Sequence, residues 1–390
     1  MIGAQVLSLA LMPVLTRLYP VESFGYFAIF IAAANLIGAF STLRLEMTIP
    51  IAADQEEANQ MSSITAGFSL AAGVVFGLLF LFPQVRALLP SMDQAWQTWF
   101  LIALSAVLVG WIQILTQRVL RAGNFRVAAL RHILDKGLFI VAALLAAKLK
   151  FTVSGLILAQ TLGYSISVLV LFWGCAWLPS IHLGDVRRLA KKYSDFPRLN
   201  TMSVGFQLIS TQLPILLYSN YFPVAEIGFL NLAQRLAELP NTIMTSALAS
   251  VYYRRILSAA REQSRRIFLR TTLWTAIALI VPSLILAFWA GPLIRIVFGA
   301  KWELSAPFLL ALLPLTITRL NYVLQQSWLL IMRRLDLDLK VSALVLMAQI
   351  LGMGVGIYYF STLLAPVVLA SALTSVVYLL GLAWVYREIK

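Results

Sequence analysis

Residues 19–26 read YPVESFGY, and residues 222–229 read FPVAEIGF. Each stretch is an aromatic residue, Pro-Val, two variable residues, an apolar residue, Gly and an aromatic residue. Each joins an apolar run carrying a proline, Pro13 or Pro214, to the next apolar run. A second pair of matching words is FLIAL at 100–104 and FLLAL at 308–312. The two offsets, 203 and 208, nearly agree, so the chain reads as an internal duplication. The expected lobes are residues 1–180 and 181–390. With six apolar runs per copy, an even number, both halves enter a membrane in the same direction. That predicts a pseudo-twofold axis along the membrane normal and a central cavity, the parallel-repeat plan of many alternating-access transporters.

Working outward, apolar runs fill the chain from end to end. Apolar residues make up 61% and charged residues 12%, and the mean hydropathy is +0.86. A soluble protein of this length needs more charge to cover its surface. A helix crosses the bilayer with roughly 20 apolar residues. Inside lipid the backbone must satisfy its own polar groups, which makes such runs helices. The reading is an all-α polytopic membrane protein. Its twelve helices are predicted near 1–16, 23–43, 62–82, 97–116, 133–147, 153–178, 200–219, 227–250, 271–293, 306–331, 341–358 and 365–386. The first run has no basic residue ahead of it, unlike a removable signal peptide, and is read as a membrane helix.

The net charge of +14 would suggest nucleic acid in a soluble protein. Here the basic residues fall between the apolar runs. The connections after even-numbered helices, with the C-terminal tail, hold 22 Lys and Arg, and those after odd-numbered helices hold six. The positive-inside rule then places the even connections and both termini in the cytoplasm. These basic loops can also meet anionic lipid head groups, and no nucleic-acid partner is expected. One cysteine, Cys175, and two histidines, His132 and His182, exclude a disulfide and a Cys/His metal cluster. No Ser-His-Asp set and no glycine-rich phosphate loop is present, so neither a catalytic residue nor a cofactor is expected.

Function then rests on polar residues at membrane depth, which are costly there and normally face a partner or a water-filled space. Asn231, Arg235, Glu238 and Thr242 in the eighth helix are spaced 4, 3 and 4, and so share one face. Gln234 and Asn241 flank them, and Pro240 follows. One reading is an Arg235–Glu238 ion pair that fixes the helix to a neighbour. The other is an arginine whose planar fork holds the phosphate oxygens of an anionic substrate. The tenth helix adds Arg319, Asn321, Gln325 and Gln326, as further substrate donors or as interhelical hydrogen bonds. Arg17 and Arg44 end the first two helices, as interfacial anchors or as cations at the outer and inner mouths of the cavity. Glu238 is the leading candidate for a coupling-ion site, ahead of Asp135 and Glu46.

Together, LMPVLTRLYPVESFGYFAIF (11–30), LRLEMTIPIA (43–52), AKKYSDFPRLN (190–200), QLPILLYSNYFPVAEIGFLNLAQRL (212–236) and VYYRRILSA (251–259) resemble the bacterial oligosaccharide flippases of O-antigen and exopolysaccharide synthesis. Their superfamily also holds multidrug-and-toxin exporters and the lipid II flippase. The resemblance implies about twelve helices in two lobes in the bacterial inner membrane. It implies a lipid-linked oligosaccharide substrate, usually on undecaprenyl pyrophosphate, and a setting beside a glycan polymerase and glycosyltransferases. It also makes Arg235, in LAQRL, the foremost cavity cation, with Arg319, Arg17, Arg44, Asn231, Gln234 and Gln325 as further substrate contacts. Two alternatives stay open. A polytopic glycan polymerase or ligase would need a large periplasmic loop, and the longest such gap is about 83–96. A multidrug exporter of organic cations would favour buried acids over arginines.

Overall fold

The computed structural model describes residues 11–87, 92, 96–151, 153–175, 177, 195–257, 261–332 and 334–389. Among these are twelve helices of two turns or more: α1 (11–18), α2 (Val21–Ser41), α3 (Gln55–Leu79), α4 (Trp96–Arg121), α5 (Phe125–Lys148), α6 (Val153–Cys175), α7 (Asp195–Tyr218), α8 (Val224–Leu257), α9 (Arg261–Phe298), α10 (Ser305–Ile331), α11 (Leu335–Tyr359) and α12 (Leu364–Glu388). No strand occurs among the described residues. The first ten residues of the first expected helix lie outside them. Eight helices, α2, α3, α4, α6, α9, α10, α11 and α12, are long and apolar enough to cross a membrane. Of the other four, α1 is described only from residue 11, and α5 and α8 carry charged residues in mid-helix.

The repeated turn has the same form twice. Val21 opens α2 directly after Pro20, and Val224 opens α8 directly after Pro223. Pro20 is extended, at φ −62° and ψ 157°, and its ring suits the entry to a helix. Glu22 and Glu226 stand in the first turns, where a carboxylate complements the helix dipole. Gly25 is shared by both copies for a steric reason in the first. A Cβ there would collide with the carbonyl oxygen of Val224, so the two turns approach closely only because this side chain is missing.

α2 stops where Ser41 and Thr42 turn their hydroxyls back to the carbonyls of Gly38 and Ala39. Leu43 and Arg44 follow in the left-handed region, at φ 50° and 59°, and end the helix. A short 3-10 helix, Leu45–Ile51, leads to α3. α3 starts earlier than its hydropathy predicts because Asp54 and Glu57 form a capping box. Glu57 N–H donates to Asp54 Oδ1 at 2.7 Å, and Ala53 N–H donates to Glu57 Oε2 at 2.9 Å. The guanidinium of Arg121, at the end of α4, donates to the carbonyls of Ile49, Pro50, Ala52 and Asp54 and fixes this connection.

The chain forms two compact units, Met1–Ile227 and Gly228–Lys390. In the first, α2 is central: 67% of its membrane-crossing stretch is buried, and it packs on α3, α4, α6 and α7. Further contacts are α3–α4, α4–α6 and α5–α6. In the second unit the neighbours are α9–α10, α10–α12 and α11–α12, the same pattern six helices later. α7 packs on α2 in the first unit, so the packing boundary falls later in the chain than residue 180.

Ends of the helices gather as an alternating path requires. At one end of the first unit, Tyr19 donates its hydroxyl to Ala143 O at 2.7 Å, beside Gly155. That joins the α1–α2 turn to the C-terminal part of α5 and the start of α6. The opposite end holds the Arg121 clamp and Asn124, whose amide reaches Gly174 O at the end of α6. In the second unit Arg265 donates to Ile389 O at 2.8 Å, and Arg334 Nη1 donates to Glu388 Oε2 at 2.6 Å. The start of α9, the α10–α11 connection and the C-terminal end of α12 therefore meet. α8 and α9, at 34 and 38 residues, are about 51 and 57 Å long. Both exceed the ~30 Å hydrocarbon core.

Candidate functional site

The face spaced 4, 3 and 4 on α8 is present, and it meets α10. Glu238 lies 14 residues after the start of α8, and Arg319 lies 14 residues after the start of α10. At 1.5 Å per residue both sit about 21 Å along their helices. They meet there: Arg319 Nη1 donates to Glu238 Oε1 at 2.5 Å. The side chains are 32% and 49% exposed, so the pair is not sealed in a core. Glu238 Oε2 accepts from Asn241 Nδ2 at 3.4 Å, within α8. Glu238 is thus ion-paired between helices to Arg319.

Arg235 is aimed by a different partner. Its Nε donates to Asn231 Oδ1 at 3.0 Å, one turn earlier on the same face. This contact uses Nε and holds the plane of the guanidinium. Gln234 is half-buried beside it. Tyr378 of α12 is buried within electrostatic reach of both Arg319 and Glu238. The Tyr378 ring lies tilted against that of Tyr322, centroids 5.4 Å apart, and the Tyr322 hydroxyl donates to Asp338 Oδ1 at 3.1 Å. Asp338 also accepts from Gln326 Nε2 at 2.8 Å.

Gln325 is placed elsewhere. It is fully buried, and its amide has both ends engaged between helices. Oε1 accepts from Tyr252 at 2.5 Å, and Nε2 donates to Thr272 Oγ1 at 2.7 Å and Phe268 O at 3.4 Å. Trp328 Nε1 donates to the same Tyr252 hydroxyl at 3.0 Å. Asn321 accepts from Thr275 at 2.5 Å. This row joins α8, α9 and α10 and offers a substrate no open group on Gln325.

Arg17 and Arg44 both lie in the first unit. Arg17 is exposed on the last turn of α1, just before the Tyr19–Pro20 turn. Arg44 is half-buried after α2 and pairs with Glu46 at 3.2 Å. Glu46 is 1% exposed in the connecting 3-10 helix. Burial pushes its carboxyl above the ordinary value of 4.5, and Arg44 and the Thr42 hydroxyl only partly oppose that. Thr242 lies on α8, but its side chain is outside the described residues.

A cluster on α5 was not legible as a site. Starting that helix at 133 left Arg131 and His132 in a loop and put Asp135 and Lys136 at its first turn. The helix begins at Phe125, so all four lie within it. Asp135 is buried against Gly163 of α6, and its Oδ2 pairs with Lys136 at 3.2 Å. The spacing 131/135 and 132/136 was the available signal, but four polar residues at the edge of an apolar run read as an end. Among the described residues no group of three or more His, Cys, Asp and Glu could hold a metal ion.

Solved structures similar to the whole chain share this fold. An inward-closed lipid II flippase MurJ matches with a TM-score of 0.76 at 16% identity, covering 99% of this chain and 86% of that one. An inward-facing multidrug resistance transporter of the MATE family matches at 0.72 and 16% identity, covering 100% and 93%. The succinoglycan biosynthesis transport protein ExoT of Rhizobium meliloti (strain 1021) is 23% identical over 302 residues, 76% of this chain. The chain spans 60% of that relative's length. The sequence profile of the polysaccharide biosynthesis protein family matches residues 14–307, which include the repeated turn, the α8 face and the opening of α10. The chain is a multi-pass membrane protein and belongs to the polysaccharide biosynthesis protein family.

Proposed function

We propose that this protein is a flippase. It carries a lipid-linked oligosaccharide, on undecaprenyl pyrophosphate, from the cytoplasmic to the periplasmic leaflet of a bacterial inner membrane by alternating access. Such a substrate has an anionic diphosphate, a polar glycan and a long apolar tail. The protein need only shelter the head group, while the tail stays in lipid. One observation supports the reading: Arg235 and Arg319 lie on α8 and α10, with Arg235 Nε donating to Asn231 and Arg319 meeting Glu238. A guanidinium fork matches phosphate oxygens in pairs, which a lysine cannot do. Asn231 and Gln234 border this face. Arg17 and Arg44 are proposed as cations at the outer and inner entrances, and Glu238 as the coupling-ion carboxylate.

The relative named for succinoglycan transport supports a glycan-bearing substrate over organic cations. We further propose two repeat halves, residues 1–180 and 181–390, both termini in the cytoplasm, and operation beside glycosyltransferases and a glycan polymerase. The test is reconstitution into liposomes containing a fluorescent lipid-linked oligosaccharide. Wild-type protein is expected to make the label accessible from the opposite leaflet, and Arg235→Ala to abolish this. Equal transport of a cationic drug with none of the lipid-linked glycan would support the exporter reading instead.

A further inference from the structure

A site for an anion should not need a carboxylate, yet Glu238 stands in this one. It occupies Arg319 directly, at 2.5 Å, in a pair that remains partly exposed. We propose that Glu238 is a resident counter-anion, which the substrate's diphosphate displaces from Arg319. This deepens the flippase reading and rests on it.

Three features of the site support the exchange. The first is charge. An alternating carrier must reorient empty as well as loaded, and a bare guanidinium at membrane depth is costly. Glu238 neutralises Arg319 in the empty protein, and the diphosphate neutralises it in the loaded one. The second is geometry. Glu238 uses Nη1 of Arg319, so a diphosphate that seeks the paired fork of that guanidinium meets the carboxylate as a competitor. In Arg235, Nε donates to Asn231 on its own helix. The third is the surroundings. Among the described residues, the charged and titratable groups near the carboxylate include Arg319 on α10 and Tyr378 on α12 with Asp338 of α11 behind it, and Arg235 shares its face of α8 by spacing. Asn241 holds the other oxygen of Glu238 at 3.4 Å, a place for the carboxylate to rest when Arg319 is taken. Competition also keeps substrate affinity low enough for release, since a site with two uncompensated arginines would hold a diphosphate too firmly.

The test is titration of purified protein in nanodiscs with inorganic pyrophosphate and with geranyl pyrophosphate, by calorimetry. Glu238→Gln keeps the shape of the side chain and removes the competitor. It is expected to tighten binding of both probes about tenfold, and to slow glycan transport because the empty form is no longer neutral. Arg319→Gln is expected to weaken binding, and adding Glu238→Gln to it should then change nothing further. Unchanged or weaker binding by Glu238→Gln, with intact binding by wild type, would overturn the exchange and leave the flippase reading in place. Failure of wild type and Glu238→Gln alike to bind either probe would overturn the flippase reading itself. If Glu238→Gln does not reach the membrane, Glu238→Asp takes its place. It retracts the carboxylate by one methylene, and it should tighten binding by a smaller factor.

Discussion

Arg235 is the residue on which the functional reading turns. If its fork meets a diphosphate, Arg235→Ala loses a charged, paired hydrogen bond of about 2 kcal/mol, roughly thirtyfold in affinity. Surface glycan should fall accordingly in a complementation assay, with normal abundance in the membrane. Arg235→Lys should recover only part, because a point charge cannot reproduce two parallel bonds. Since Glu238 pairs with Arg319, Glu238→Ala added to Arg235→Ala should not restore export. Restoration would make Arg235 a structural counter-ion. Glu46 supplies a separate check. Burial raises its carboxyl above the ordinary 4.5 in the folded protein, so the folded chain holds that proton more tightly than the unfolded one. The stability tied to it is complete below the unfolded value and is lost as pH rises through the higher folded value. Thermal melts in detergent from acid to neutral pH should show that decline in wild type and a flatter profile in Glu46→Gln. The residue types at these positions were legible in the sequence, but their partners were not. Spacing put Arg235 and Glu238 on one face, but the ion pair of Glu238 with a residue 81 positions away crosses between helices, and no local pattern encodes it.

Helices carry the next level. Periodicity and hydropathy located every one of them, but the ends shifted wherever polar chemistry, rather than lipid, sets the boundary. α3 begins at its capping box and α5 begins at Phe125, two turns before its apolar run. α8 and α9 run on into basic segments. Close helix approach depends on glycine at specific contacts. Gly25→Ala places a Cβ against the Val224 carbonyl, which cannot swing away as a side chain would. The expected loss is about 1–3 kcal/mol, the usual range for overpacking, read as a lower melting temperature in detergent. Gly137→Ala on α5 is the control: nothing lies within 4 Å of the added carbon. Its melting temperature should stay level or rise slightly, since alanine favours a helix over glycine.

At the scale of the whole molecule, the charge asymmetry predicts sidedness. Reporter fusions at Gly184, outside the described residues, and at Lys390 should both read as cytoplasmic. A periplasmic signal at either would reverse the orientation. Composition and hydropathy alone determined that this chain is a helical membrane protein, because lipid forces every backbone polar group to be satisfied within its own helix. The repeated turn led to the expectation of a duplication, and three helix contacts of the first unit, α3–α4, α4–α6 and α5–α6, have counterparts six helices later in α9–α10, α10–α12 and α11–α12. Tertiary structure decided which polar side chains are occupied. Gln325 and Arg319 lie on one helix and looked alike as candidates. Packing closed Gln325 inside a hydrogen-bonded row with Tyr252 and Thr272, and left Arg319 partly exposed against Glu238. Packing likewise put α7 on α2, so that the first compact unit extends through Ile227. The physical reason is common to both. Transfer into lipid depends on what each segment is, and sequence states that directly. A polar group's role depends on which neighbour reaches it first, and that is settled only when distant helices meet.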